Sequence, residues 1–195
     1  NYIDKVRTPD EGVEAFMGKR VHEVLDWFYK KRESIGAFCT IDTLLNKYAE
    51  LWNEKWHDNI YLANISFKYN KRNNRDRIYQ YGIKCLVNYF NRYSPNFNKN
   101  IIGTELECSI KIGKINFNCI IDRLDCVGDG EYEIYDYKTG KKPLTKFQAN
   151  NNFQLLLYQL AIEKKFPDFK EITLHWYFLR INKIITVLHK RNKIN

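Results

Sequence analysis

The sequence predicts a mixed α+β domain, a central sheet flanked by helices with a largely helical N-terminal part. Three observations lead there. Apolar residues recur at i, i+3/i+4 spacing through the first half of the 195-residue chain. After Pro95 they give way to strand-like runs separated by turn residues. One further helix-period stretch divides the third of these runs from two final ones, an order that sets helices around a sheet.

From Val13 onward, Phe16, Met17, Val21, Val24, Leu25 and Phe28 trace the apolar stripe of a first helix, with Pro9 and Asp10 as its start signals. A second helix runs from about Asp42 to Trp56 on Leu44, Leu45, Tyr48, Leu51 and Trp52. A third runs from about Arg75 to Tyr93, with Ile78, Gly82, Leu86, Tyr89 and Phe90 inward. The basic, polar stretch Lys68–Arg77 between them reads as a loop entering a helix. Ile101–Ile112 and Ile115–Val127 read as strands joined at Gly113-Lys114, and Gly128-Asp129-Gly130 turns the chain into a third strand, Glu131–Lys138. After a polar loop, Phe153, Leu156, Leu157 and Leu160 mark a helix over about Asn151–Lys165. Glu171–Arg180 and Lys183–His189 form the last strands around an Ile181-Asn182 turn. At this length one domain is expected: a helical part over about 10–95, and a core of sheet and helix over about 100–190 that the first helix completes.

With 44% hydrophobic and 28% charged residues the chain can bury a sizeable core. Its 32 Lys and Arg against 23 Asp and Glu give a net charge of +9, which suits a polyanionic partner such as nucleic acid or an anionic membrane surface. No apolar run approaches the ~20 residues a membrane-crossing helix needs. The opening Asn1-Tyr2-Ile3-Asp4-Lys5 has neither a signal-peptide core nor an initiating Met, and reads as part of a longer polypeptide. Cys39, Cys85, Cys108, Cys119 and Cys126 are odd in number and include no CxxC pair. This argues against a disulfide framework, a zinc knuckle or a self-contained iron–sulfur site, and for a reduced, cytoplasmic setting.

The segment richest in chemistry is Tyr135-Asp136-Tyr137-Lys138-Thr139-Gly140. Alternation along a strand puts Asp136 and Lys138 on one face, with Ile134 and Tyr132. A surface ion pair is the plain reading of such a triplet. The preceding hairpin adds to it. A ladder symmetric about Asp129 places Asp122 opposite Asp136, with Cβ atoms ~4.5–5.5 Å apart on one face. Two carboxylates so close require a cation or a shared proton, unless Asp122 pairs instead with Arg123 or Lys138. A bulge in the turn would shift this register by one and remove the argument. On the first helix, His22 edges the apolar stripe one turn after Gly18. Gly18 costs a helix ~1 kcal/mol and so marks a close approach. On the later helix, Gln154 and Tyr158 share a face at i, i+4, as an exposed polar edge or as part of a site.

Gly18-x-x-x-His22, Glu105, Asp122, Asp136-x-Lys138 and Gln154-x-x-x-Tyr158, in this order and within an α-βββ-α-β series, resemble a RecB-type nuclease domain of the PD-(D/E)XK superfamily. The resemblance spans nearly the whole chain and implies a restriction-endonuclease-like core. It implies that His22, Asp122 and Asp136 bind a divalent metal, Mg²⁺ or Mn²⁺, assisted by the backbone carbonyl of Tyr137. Lys138 would orient and help activate the attacking water or stabilise charge on the phosphate. Glu105 matches the family's earlier acidic position, with Glu107 as the competing choice. Gln154 and Tyr158 match the motif bordering the DNA-facing side. Two departures stand out. Cys119 occupies a position where the family usually has Gly, and the four-Cys cluster of AddB-type and CRISPR adaptation relatives has no counterpart, so no iron–sulfur cluster is expected in this chain.

The residue types agree with phosphodiester hydrolysis, which needs a cation to neutralise phosphate oxygens and to acidify a bound water. Lys141, Lys142 and Lys146 follow the strand that carries the site and are well placed for a phosphate backbone. Lys68, Lys71, Arg72, Arg75 and Arg77, with Tyr69 and Tyr79 interleaved, form either a second phosphate track or a solvated charge run. The expectation is a metal-dependent deoxyribonuclease. From the resemblance it acts on single-stranded DNA ends in repair, recombination or defence, beside a helicase or within a parent polypeptide. The rivals are a non-catalytic nucleic-acid-binding scaffold and a structure-selective endonuclease on the same fold.

Overall fold

The computed structural model describes residues 11–35, 40–61, 71–97 and 100–190. Three long helices come first: α1 (Val13–Ile35), α2 (Ile41–Lys55) and α3 (Lys71–Tyr93). Two two-residue strands with no sequence signal, β1 (Glu11–Gly12) and β2 (Ile60–Tyr61), pair in parallel beside them. The main sheet has the order β3 (Ile101–Ile112), β4 (Ile115–Gly128), β5 (Glu131–Lys138), β6 (Glu171–Phe178), β7 (Lys183–Lys190). Only β5 and β6 run parallel, so the sheet is mixed. Between them stand α4 (Lys146–Asn150) and α5 (Phe153–Lys165). The expected α-βββ-α-β order and restriction-endonuclease-like core are therefore present.

Two cores face each other across the sheet. On one side, the stripe Phe16, Met17, Val21, Val24, Leu25 and Phe28 of α1 packs with Leu44, Tyr48 and Trp52 of α2 and Leu86 and Tyr89 of α3 onto Tyr135, Tyr137 and Tyr177. On the other, Ile121, Leu124, Ile134, Leu174 and Trp176 lie under Ala149 of α4 and Tyr158 and Ile162 of α5. A strand covered on both faces buries both sets of alternating side chains, and β5 is buried without break from Ile134 to Tyr137. A Cβ on Gly82 would fall 2.0 Å from the Tyr48 hydroxyl oxygen, so α2 and α3 can approach this closely only around a glycine.

Three local expectations change. Residues 71–77, read as a loop entering a helix, already belong to α3. Lys68, Tyr69, Cys39, Pro9 and Asp10 lie outside the described residues, as do the side chains of Lys71 and Arg72. The polar loop before α5 contains the short α4, held by a Thr145–Gln148 capping box that the spacing T-x-x-Q signals. Last, the β4–β5 hairpin is bulged. Gly128 faces Glu131 across a two-residue turn, and the shift between Cys126 and Gly128 brings Cys126 opposite Tyr132 and Arg123 opposite Tyr135. The bulge thus offsets the tighter turn, and the register symmetric about Asp129 holds where it matters.

Candidate active site

Thr104 pairs with Arg123 and Leu106 with Ile121, so Glu105 stands opposite Asp122 on β3 and β4. Continuing the β4–β5 register puts Asp136 on Asp122's other side. Three carboxylates thus occupy one rung across three neighbouring strands. Glu105 has φ of +47°. For a residue with a Cβ, that left-handed conformation costs on the order of 1 kcal/mol or more and persists only where the surroundings enforce it.

The carboxylates of the rung have different partners. Asp122 reaches α1. Its Oδ1 lies 3.1 Å from His22 Nδ1, and its Oδ2 accepts the Tyr137 amide N–H at 2.5 Å. Glu105 Oε1 is 3.7 Å from the same imidazole nitrogen. One ligand atom each from His22, Glu105 and Asp122 falls within 4.8 Å of the others. Glu105, not Glu107, reaches His22. Gly18 allows this geometry: a Cβ there would meet Thr139 Oγ1 at 3.1 Å, so the bare helix face lets α1 close on the end of β5.

Asp136 is 2% exposed and is held by two side chains of α5. Its Oδ1 accepts from Gln154 Nε2 at 2.8 Å. The Tyr158 hydroxyl lies 2.9 Å from that oxygen and 2.9 Å from the Ile120 carbonyl, so its one proton serves two acceptors. Oδ2 has no partner in hydrogen-bond alignment but sits 2.6 Å from Lys138 Nζ. The ammonium also contacts Gln154 Oε1 at 3.4 Å and lies 5.1 Å above the Trp176 ring. Gln154 and Tyr158, expected to border a DNA-facing surface, both bond Asp136, and the half-buried Gln154 also reaches Lys138. Tyr158 is 1% exposed and touches nothing outside the fold.

The field at this site favours positive charge. Burial opposes an imidazolium at His22, yet Asp122 and Glu105 overcome it and push the His22 pKa up to about 10. Burial likewise raises the Asp136 pKa, opposed by Lys138 and reinforced by Asp122. One imidazole and two convergent carboxylates, with a third in the same rung, form a hard donor set that fits a divalent cation of the Mg²⁺ or Mn²⁺ kind.

Behind the site, an unanticipated network supports β4. Arg123 is 1% exposed and forms a two-pronged ion pair with the fully buried Asp125 at 2.7 and 2.6 Å. Its Nη1 donates to the hydroxyls of Tyr29 at 2.6 Å and Tyr89 at 3.0 Å, and Tyr89 meets the Tyr137 hydroxyl at 3.2 Å. Alternating Arg and Asp on a strand carry no sequence signal of burial. Only the tyrosine-rich third helix hints at the cage. Elsewhere, Lys141 and Lys142 are exposed beyond β5. Arg75 lies 4.3 Å over the Trp56 ring, and Tyr79 stacks on Tyr48, so Tyr79 is a packing residue rather than a free stacking platform. Cys119 pairs with Cys108 in the β3–β4 ladder.

A model of the PD-(D/E)XK nuclease superfamily matches residues 1–192. Among curated proteins, envelope glycoprotein L of Saimiriine herpesvirus 2 (strain 11) is 26% identical over 83 residues, 43% of this chain. The chain spans 59% of that protein's length. So short and distant a likeness carries no argument about the site.

Proposed function

Because the chain belongs to the PD-(D/E)XK nuclease superfamily, we propose that it is a divalent-metal-dependent deoxyribonuclease with a preference for single-stranded ends. The observation that carries the reading is the convergence of His22, Glu105 and Asp122 beside a rung partner, Asp136, that holds Lys138. His22, Asp122 and Asp136 would hold Mg²⁺ or Mn²⁺, with Glu105 beside them and the Tyr137 carbonyl assisting. A cation bound there neutralises phosphate oxygens and lowers the pKa of a water.

The chain's own groups do the rest. Lys138, with 36% of its side chain exposed, is a compact charge that can leave Asp136 Oδ2 for a phosphate oxygen or orient the attacking water. Gln154 and Tyr158 keep Asp136 aimed while Lys138 moves. Lys141 and Lys142 take the phosphates beyond the cut, and Lys71, Arg72 and Arg75 form a second phosphate track. On this reading the enzyme works in DNA repair, recombination or defence, next to a helicase.

Digestion of end-labelled single-stranded DNA with Mg²⁺, Mn²⁺ or EDTA, beside Asp136→Asn and Lys138→Ala, tests the proposal. Metal-dependent cleavage lost in both variants supports it. Binding without cleavage in either metal replaces it with the scaffold reading. Closed circular DNA, spared by a strict exonuclease, separates end-dependent from internal cutting.

A further inference from the structure

Away from the carboxylate rung, α4, the first turns of α5 and β7 line an open groove of about 730 Å³. Phe153 lines it and is 55% exposed, and Leu156 and Leu188 beside it are 44% and 52% exposed. On α4, Phe147 stands 77% exposed next to the groove-lining Lys146. Apolar surface gathered in this way around a groove marks a binding site rather than scattered exposure. The rest of the lining is amide-rich, with Asn150, Asn151, Asn152 and Gln159, and cationic at Lys146. No lining side chain is a carboxylate.

Two of these amides are half used. Asn151 Nδ2 donates to the Phe147 carbonyl, and Asn152 Oδ1 accepts the Gln154 N–H. Asn151 Oδ1 and Asn152 Nδ2 have no partner among the described residues, which leaves one acceptor and one donor at the groove. An aromatic face, amides with free donor and acceptor atoms, and a lysine without a carboxylate in the lining suit an unpaired nucleobase on a polyanionic strand. They do not suit a duplex, whose bases are already stacked and paired. The groove adjoins the site along the chain. Phe153 directly precedes Gln154, which touches Asp136 and Lys138. Residues 139–145, which carry the exposed Lys141 and Lys142, lead from Lys138 to α4.

We propose that this groove is a nucleobase subsite. Phe153 and Phe147 stack unpaired bases of the same strand whose phosphates pass Lys146, Lys142 and Lys141 on the way to Lys138. The proposal rests on the nuclease reading and assigns to it a strand-holding surface outside the chemical centre.

The test is fluorescence anisotropy of the full chain in EDTA, with a labelled oligothymidylate of about 15 nucleotides and a blunt duplex of equal length. The wild type is compared with the Phe147→Ala/Phe153→Ala double variant, and thermal unfolding checks the fold. The expected result is single-strand affinity at least ~10-fold weaker in the double variant, with duplex binding and Tm unchanged. If the double variant does not fold, Phe147→Ala alone gives the same reading from an exposed position, with a smaller loss. Undiminished single-strand binding in the variant, equal loss for the duplex, or no single-strand binding by the wild type overturns the subsite. Manganese-dependent cleavage by the wild type is scored separately. Cleavage with variant-independent binding removes the groove alone, and groove-dependent binding without cleavage removes the nuclease reading alone.

Discussion

The Tyr137 amide donates to Asp122 Oδ2 at 2.5 Å, just past the point where the β4–β5 backbone ladder ends at Arg123 opposite Tyr135. A carboxylate thus stands in for a main-chain acceptor. The bond fixes Asp122 to the strand that carries Asp136 and Lys138 while its other oxygen faces His22. One side chain therefore ties together helix α1 and strands β4 and β5.

Asp122→Asn keeps a carbonyl for the Tyr137 amide and removes the charge that faces His22. Cleavage should fall at least ~100-fold while the circular dichroism spectrum is retained. Steady-state kinetics and the spectrum together check this. Cleavage near the wild-type rate would remove Asp122 from the site.

Tyr158→Phe deletes the hydroxyl shared by Asp136 Oδ1 and the Ile120 carbonyl in a fully buried setting. Loss of about 1–1.5 kcal/mol of stability is expected from urea unfolding. Because the hydroxyl aims Asp136 and is out of reach of substrate, kcat should drop while KM for DNA stays level.

In EDTA the His22 imidazolium should contribute to stability. Its pKa stands at about 10 in the folded chain against the ordinary 6.5. A raised folded value means that the contribution is full below pH ~6.5 and is lost as pH rises through about 10. Metal-free Tm should therefore decline over that interval, and His22→Gln should flatten the decline in a fluorimetric melting series.

Breaking the buried Arg123–Asp125 pair from one side leaves an uncompensated charge. Asp125→Ala should cost about 3–5 kcal/mol in urea unfolding, and the paired change Arg123→Met/Asp125→Leu should recover much of it.

The fold was legible because each signal is local. The α1 stripe, the Gly113-Lys114 turn and the β5 alternation each reflect the period of one element. The partners of Asp136 were legible in part, since the i, i+4 spacing of Gln154 and Tyr158 puts both on one helix face, where both bond Asp136. Other features depend on three dimensions. The left-handed Glu105, the bulge that restores the β4–β5 register and the burial of Arg123 among Tyr29, Tyr89 and Tyr137 arise from packing between elements far apart in sequence. Arg75 shows the same limit, because its place over Trp56 depends on how α2 and α3 dock.

The central claim is that His22, Asp122 and Asp136, with Glu105 beside them, hold a divalent cation. Titration of Mn²⁺ followed by electron paramagnetic resonance, on the wild type and on Asp122→Asn, tests it without any substrate. Saturable Mn²⁺ binding by the wild type, weakened at least ~10-fold in the variant, is expected. Equal binding in the two proteins, or none in the wild type, would contradict it.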